Sequence, residues 1–136
     1  MTTLIVEDDF SSRLILQKRL EPYGPVELAF DGKEAIEAVA ARLESDGCYD
    51  LICLDIMLPE MDGQEALERI RAAEAKAGFP VGRGAKVVMT TALGDADNVM
   101  AAFRREADGY LVKPIEKEKL EEQLRSLKLI GSGTAE

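Results

Sequence analysis

A chain of 136 residues, 46% hydrophobic and 32% charged, is sized for one domain and apolar enough to build a core without disulfide or metal staples. The absence of histidine removes the Ser-His-Asp and Cys-His catalytic sets and the commonest zinc and iron ligand. With 26 acidic residues against 17 basic ones, the net charge of −9 argues against direct binding to nucleic acid.

In chain order, Leu4-Ile5-Val6 is the first short unbroken apolar run, followed at helical spacing by Phe10 and Leu14, then Leu16 and Leu20. Pro22, Gly24 and Pro25 interrupt. Val26 to Phe30 is a weaker run, and Asp31-Gly32 opens a second helix bearing Ile36, Val39, Ala40 and Leu43. Leu51-Ile52-Cys53-Leu54 is the third run, and Asp62-Gly63 opens a third helix bearing Leu67 and Ile70. Gly78-Phe79-Pro80-Val81-Gly82-Arg83-Gly84 is a loop by composition. Val87-Val88-Met89 precedes a helix with Val99 and Phe103. Tyr110-Leu111-Val112 precedes a last helix with Leu120, Leu124 and Leu127. Apolar runs without alternation indicate strands buried on both faces. Five strand–helix alternations predict an α/β fold, an open doubly wound parallel sheet with right-handed crossovers.

Met1-Thr2-Thr3 has no basic leader, and no apolar stretch approaches the ~18 residues of a membrane span, so the expected setting is cytoplasmic, without a membrane partner. Cys48 and Cys53 are spaced neither as a CxxC redox pair nor as a zinc knuckle and read as reduced, buried and structural.

Ligands of open α/β sheets bind beyond the carboxyl ends of the strands. Here those ends carry Glu7-Asp8-Asp9, Asp55, Thr90-Thr91 and Lys113-Pro114. Singly, each has an ordinary explanation: Asp9 or Ser11 as a helix cap, Asp55 or Thr91 as a cap, Lys113 as a solvated base. Jointly, converging carboxylates repel one another and call for a cation, and Mg²⁺ suits one or two carboxylates plus phosphate and water oxygens. Asp55 is then placed as a nucleophile toward phosphorus, with charge shared among Mg²⁺, Lys113 and Thr91. No Walker A loop or GxGxxG fingerprint is present, so the phosphoryl group comes from another molecule.

The segments LIVEDD (Leu4 to Asp9) and LDIMLPEMDG (Leu54 to Gly63), the pair Thr91-Ala92, and DGYLVKP (Asp108 to Pro114) resemble the CheY-like receiver domain of two-component response regulators. The likeness runs from about Thr2 to Ile130 with all motifs in order. It implies a flavodoxin-like (βα)5 sheet of order 2-1-3-4-5, with a receiver over residues 1–130 and residues 131–136 as a flexible tail or the start of a linker. It implies that Asp55 is the phosphoacceptor, served by a sensor histidine kinase or a His-containing phosphotransfer protein. Mg²⁺ would be held by Asp8, Asp55 and the Met57 backbone carbonyl, with Glu7 acting through water. Lys113 would contact the phosphoryl group, and its bond to Pro114 would be cis. Thr91 and Tyr110 would form the switch, the hydroxyl swinging toward the phosphate while the ring moves inward. The readout face would comprise the family's fourth helix, fifth strand and fifth helix, roughly Asp95 to Ile130, whose Arg104, Arg105, Lys117 and Lys119 also read as ordinary solvated charges.

Two features depart from the common pattern. Residues 75–86 form a longer connection than usual and read as a surface insertion. Met57 and Leu93, two residues beyond Asp55 and Thr91, are apolar where related receivers often carry polar residues that place the hydrolytic water, which predicts a long-lived phosphoryl state. The chain fits a stand-alone protein, a relay member or a piece of a longer regulator, as a monomer or a phosphorylation-dependent dimer, and its downstream target is open. Two other classes compete. A haloacid dehalogenase-type phosphatase normally carries a second Asp two residues after the first, where this chain has Met57. A receiver-like interaction scaffold would not need Asp8, Asp55, Thr91 and Lys113, all of which are intact.

Overall fold

The computed structural model describes residues 1–45, 47–80, 82–92 and 107–131. The predicted helix containing Val99 and Phe103, together with Leu93, Arg104, Arg105 and residues 132–136, lies outside them. The elements are β1 (Thr3–Val6), α1 (Phe10–Leu20), a single 3₁₀ turn (Glu21–Tyr23), β2 (Val26–Ala29), α2 (Gly32–Ser45), β3 (Leu51–Asp55), α3 (Gly63–Lys76), β4 (Lys86–Thr91), β5 (Gly109–Val112) and α4 (Lys117–Ser126). The last of these stands where the sequence reading placed a fifth helix.

All strand pairings are parallel, and the sheet order is β2-β1-β3-β4-β5. The unbroken apolar runs arise because each strand feeds two cores, one on each side of the sheet. On one side, Leu4, Val6, Ile52, Leu54, Val87 and Met89 pack with Val39 of α2 and Leu67 and Ile70 of α3. On the other, Ile5, Leu51, Cys53, Val88 and Leu111 pack with Leu16 and Leu20 of α1 and Leu120 and Leu124 of α4.

Three expectations need correction. The α1 stripe is Leu16 and Leu20 alone; Phe10 (66% exposed) and Leu14 face outward because they lie off the face that meets the sheet. The strand β2 is an edge strand, so Glu27 and Leu28 are exposed and only Ala29 is fully covered. Cys53 is buried, but Cys48 is only half-buried; both thiols are free.

Local chemistry sets the helix starts. The Asp9 carboxylate accepts from Ser12 N–H at 2.9 Å and that of Asp62 from Glu65 N–H at 2.9 Å, while Asp31 accepts from Glu34 N–H at 2.8 Å. Gly63 is required at the start of α3: a Cβ there would lie 2.7 Å from the Asp55 carbonyl oxygen and 2.8 Å from Ile56 Cα. This close approach seats α3 directly against the carboxyl end of β3.

Candidate functional site

Strand register carries the site residues to one end of the sheet. Val6 pairs with Leu54, Asp55 with Thr90, and Thr91 with Val112, so the last residues of β3 and β4 and those just beyond β1 and β5 emerge together. Glu7 and Asp55 are buried and Asp8 is exposed. Carboxylate oxygens of Glu7, Asp8 and Asp55 lie within 4.8 Å of one another. Lys113 reaches over from the end of β5, its Nζ 3.0 Å from Asp55 Oδ2 and 2.8 Å from Glu7 Oε1. The Lys113 backbone N–H donates to the Thr91 carbonyl at 2.7 Å, and the Lys113–Pro114 peptide bond is cis.

The remaining candidates lie around this centre. Met57 N–H donates to Asp55 Oδ1 at 3.1 Å and so turns one acceptor oxygen toward the backbone, while the Met57 side chain is 68% exposed at the rim. Thr91 is buried, and its hydroxyl donates at 3.4 Å to the Ala92 carbonyl, a local contact. Tyr110 is half-buried against the core that includes Met89, and its carbonyl accepts from Gln123 Nε2 at 3.3 Å.

Electrostatics follow from burial. Glu7 is pushed up to about 7, first by loss of water and then by the neighbouring Asp55 carboxylate; Lys113 and the Asp9 N–H pull the other way without prevailing. Burial pulls Lys113 down, but the Glu7 and Asp55 carboxylates beside it outweigh that and hold the ammonium above the ordinary lysine range. Two buried acids therefore share one ammonium, with the exposed Asp8 carboxylate beside them.

The donor set fits a hard divalent cation. Glu7 Oε1 is fully buried and, although close to Lys113, has no aligned hydrogen-bond donor. The carboxylates at the ends of the adjacent strands β1 and β3 include the one or two oxygen ligands that Mg²⁺ commonly takes from protein carboxylates, its other positions going to carbonyl, water or phosphate oxygens.

Sequence reasoning missed two groups. Arg13 of α1 turns back to the Glu7 and Asp8 carbonyls, and a base one turn after a helix cap was the available signal. At the opposite end of the sheet, Arg71 joins Glu74 (2.8 Å) and Asp108 (2.9 Å). Asp108, 37 residues from Arg71, offered no local signal.

Comparison with known proteins agrees with this geometry. Residues 3–125 match the family model described as the response regulator receiver domain. The chain is 36% identical over 125 residues to the DNA-binding dual master transcriptional regulator RpaA of Synechocystis sp., a match covering 91% of this chain and 47% of RpaA. The chain spans about half the length of the curated relatives it matches. Among solved structures, it resembles a CheY-like receiver domain from Methylobacillus flagellatus with a TM-score of 0.74 and 26% identity, covering 93% of this chain and 98% of that one. It also resembles the receiver domain of sensor histidine kinase PA1611 from Pseudomonas aeruginosa, which has magnesium coordinated in its active-site cleft; the TM-score is 0.72 and the identity 26%, covering 93% and 97% of the two chains. With the family model spanning nearly the whole chain and the sheet order of its solved relatives reproduced, the chain belongs to the response regulator receiver domains of two-component systems.

Proposed function

We propose that this domain accepts a phosphoryl group on Asp55 from a phosphohistidine of a sensor kinase or phosphotransfer protein and relays that state to a partner. The observation that carries the reading is the meeting of Asp55 with Lys113 at 3.0 Å inside a cluster whose other members are the Glu7 and Asp8 carboxylates. Asp8, Asp55 and the Met57 carbonyl would hold Mg²⁺, with Glu7 acting through water. When bound, the ion supplies charge neutralisation for the phosphoryl oxygens.

The chain's own groups do the rest. Met57 N–H engages Asp55 Oδ1, leaving Oδ2, on the Lys113 side, as the attacking oxygen. Oδ2 bonds to phosphorus as the bond from phosphorus to the donor's imidazole nitrogen breaks, giving an acyl phosphate. Lys113 exchanges its contact with Oδ2 for one with the transferred oxygens. Thr91, whose present hydrogen bond is long and local, turns its hydroxyl toward the same oxygens, and Tyr110 follows into the space released. The face changed for partners runs roughly from Asp95 to Ile130 and includes β5 and α4. The receiver runs to about Ile130, operates in the cytoplasm, and acts by docking rather than by turnover of a small molecule; no described helix is long and apolar enough to cross a membrane.

The test is incubation with acetyl phosphate and Mg²⁺ followed by intact mass measurement. Wild type gains one phosphoryl group and Asp55→Asn gains none. Uptake by neither would make the domain a scaffold, and sustained release of phosphate from many small esters would make it a phosphatase.

A further inference from the structure

We propose that Arg13 is a positioning residue for the Glu7–Asp8 acidic pair, held in place between Phe10 and Phe30. The proposal rests on the Mg²⁺-dependent reading above and concerns how the acids are kept ready for the ion. Arg13 Nη1 donates to the Glu7 carbonyl at 3.3 Å and lies 3.5 Å from the Asp8 carbonyl. The guanidinium carbon sits 4.4 Å from the Phe30 ring centroid and 5.5 Å from that of Phe10. Both rings lie outside the two cores, at 66% exposure for Phe10 and 46% for Phe30, and their proximity to the cation gives them a partner the cores do not provide.

The link to the site passes through a single peptide unit. The Asp8 carbonyl and the Asp9 N–H belong to the same amide, and that N–H donates to Glu7 Oε2 at 3.1 Å. A cation at the oxygen end polarises the amide and strengthens the donor at the other end, which orients the Glu7 carboxylate. Sheet support ends just before this point: the Glu7 N–H bond to the Ala29 carbonyl, at 3.1 Å, is the last rung between β1 and β2. Beyond it the backbone carrying Asp8 is steered by the Asp9 cap and by Arg13. Phe30 extends that control to the turn after β2, so the brace ties two strand ends together. A lysine in the same place would keep the charge but lose the planar fork and the stacking.

The experiment is Mg²⁺ titration by calorimetry of wild type, Arg13→Ala, Arg13→Lys, Phe30→Ala and Lys18→Ala, with phosphorylation by acetyl phosphate followed against Mg²⁺ concentration. Arg13→Ala is expected to weaken Mg²⁺ binding roughly 3- to 10-fold, at or below the low end for loss of support to a metal ligand. Arg13→Lys and Phe30→Ala should fall between it and wild type. The phosphorylation rate at saturating Mg²⁺ should stay within about twofold of wild type, a loss of affinity without a loss of rate. Lys18→Ala, an equal change of charge on an exposed part of α1, should leave binding unchanged. Equal affinity in Arg13→Ala and wild type overturns the proposal, as does equal weakening by Lys18→Ala. Should Arg13→Ala fail to fold, Phe30→Ala decides. Absence of Mg²⁺ binding and phosphate uptake in wild type itself would instead refute the phosphoacceptor reading.

Discussion

Two clusters of acids and bases sit at opposite ends of the same sheet, and they are finished differently. At the amino ends of β4 and β5, Glu74 is buried; its Oε1 meets Arg71 at 2.8 Å and its Oε2 accepts Ala85 N–H at 2.7 Å. Arg71 also donates to the Ala85 carbonyl at 2.7 Å, and Asp108 Oδ2 takes both Arg71 at 2.9 Å and Val87 N–H at 2.8 Å. A Cβ on Gly84 would overlap the Glu74 carboxylate, so the loop after α3 closes tightly over it. At the carboxyl ends, Glu7 and Asp55 share one ammonium with the Asp8 carboxylate close by, and a fully buried Glu7 oxygen has no aligned donor. The same residue types thus close their hydrogen bonds at one end of the sheet and leave them open at the other, where the proposed phosphoacceptor lies.

Removing one acid from each cluster tests this contrast most sharply. Glu74→Ala leaves Arg71 facing Asp108 and the Ala85 carbonyl with one counterion gone and strands the Ala85 N–H. It should cost roughly 3 kcal/mol in denaturant unfolding and leave Mg²⁺ affinity unchanged. Asp55→Asn should do the reverse, abolishing phosphate uptake while shifting stability by about 1 kcal/mol or less, because it relieves repulsion as well as removing a partner of Lys113. A large loss of stability in Asp55→Asn would erase the distinction.

The sheet was legible because each two-faced strand produces an unbroken apolar run, and the convergence of Glu7, Asp8, Asp55, Thr91 and Lys113 followed from where those runs end. Which acid would be buried was not legible: Glu7 and Asp8 are neighbours, and only the twist of the chain as it leaves β1 sends one inward and the other to solvent. Phe10 and Leu14 fit a helical stripe as well as Leu16 and Leu20 do, since spacing reports period and not which stripe meets the sheet. The ion pair of Arg71 with Asp108 joins residues 37 apart in sequence, and a charge on the back of a helix looks the same whether or not a distant carboxylate meets it.

A pH series sharpens the contrast at a smaller energy scale. Burial, then the neighbouring Asp55 carboxylate, raises Glu7 from its ordinary 4.5 to about 7 in the folded protein. Between those values the unfolded chain has released its proton and the folded one retains it. Folded protein then binds more protons than unfolded, and stability falls as pH rises through the window, levelling above about 7. The contribution is on the order of 3 kcal/mol and belongs jointly to Glu7, Asp55 and Lys113. Without Mg²⁺, wild type should lose more thermal stability than Glu7→Gln between pH 5 and 8, roughly the interval this shift spans. The stabilisation that added Mg²⁺ provides should grow over the same interval, because the ion needs the ionised carboxylate. Parallel pH profiles of wild type and Glu7→Gln would show that the unclosed cluster carries no such strain.

The smallest expected effect concerns how the open cluster meets solvent. Glu74 is roofed by its own loop, whereas the lip beside Asp55 is Met57, whose side chain is 68% exposed and whose N–H is already engaged by Asp55 Oδ1. A thioether at that lip offers water only a weak acceptor and no strong donor, so it does little to hold a water in line with the phosphorus of an acyl phosphate. Met57→Asn keeps the backbone contact with Asp55 and adds both a donor and an acceptor at the rim. Loss of the phosphoryl group, followed by mass after removal of acetyl phosphate, should then quicken several-fold, less than the tenfold that about 1.4 kcal/mol of barrier represents. Mg²⁺ affinity should hold, since the group exchanged lies on the solvent side of Asp55. An unchanged lifetime would mean that the backbone around Asp55, rather than the chemistry of the Met57 side chain, governs access of water to the phosphorus.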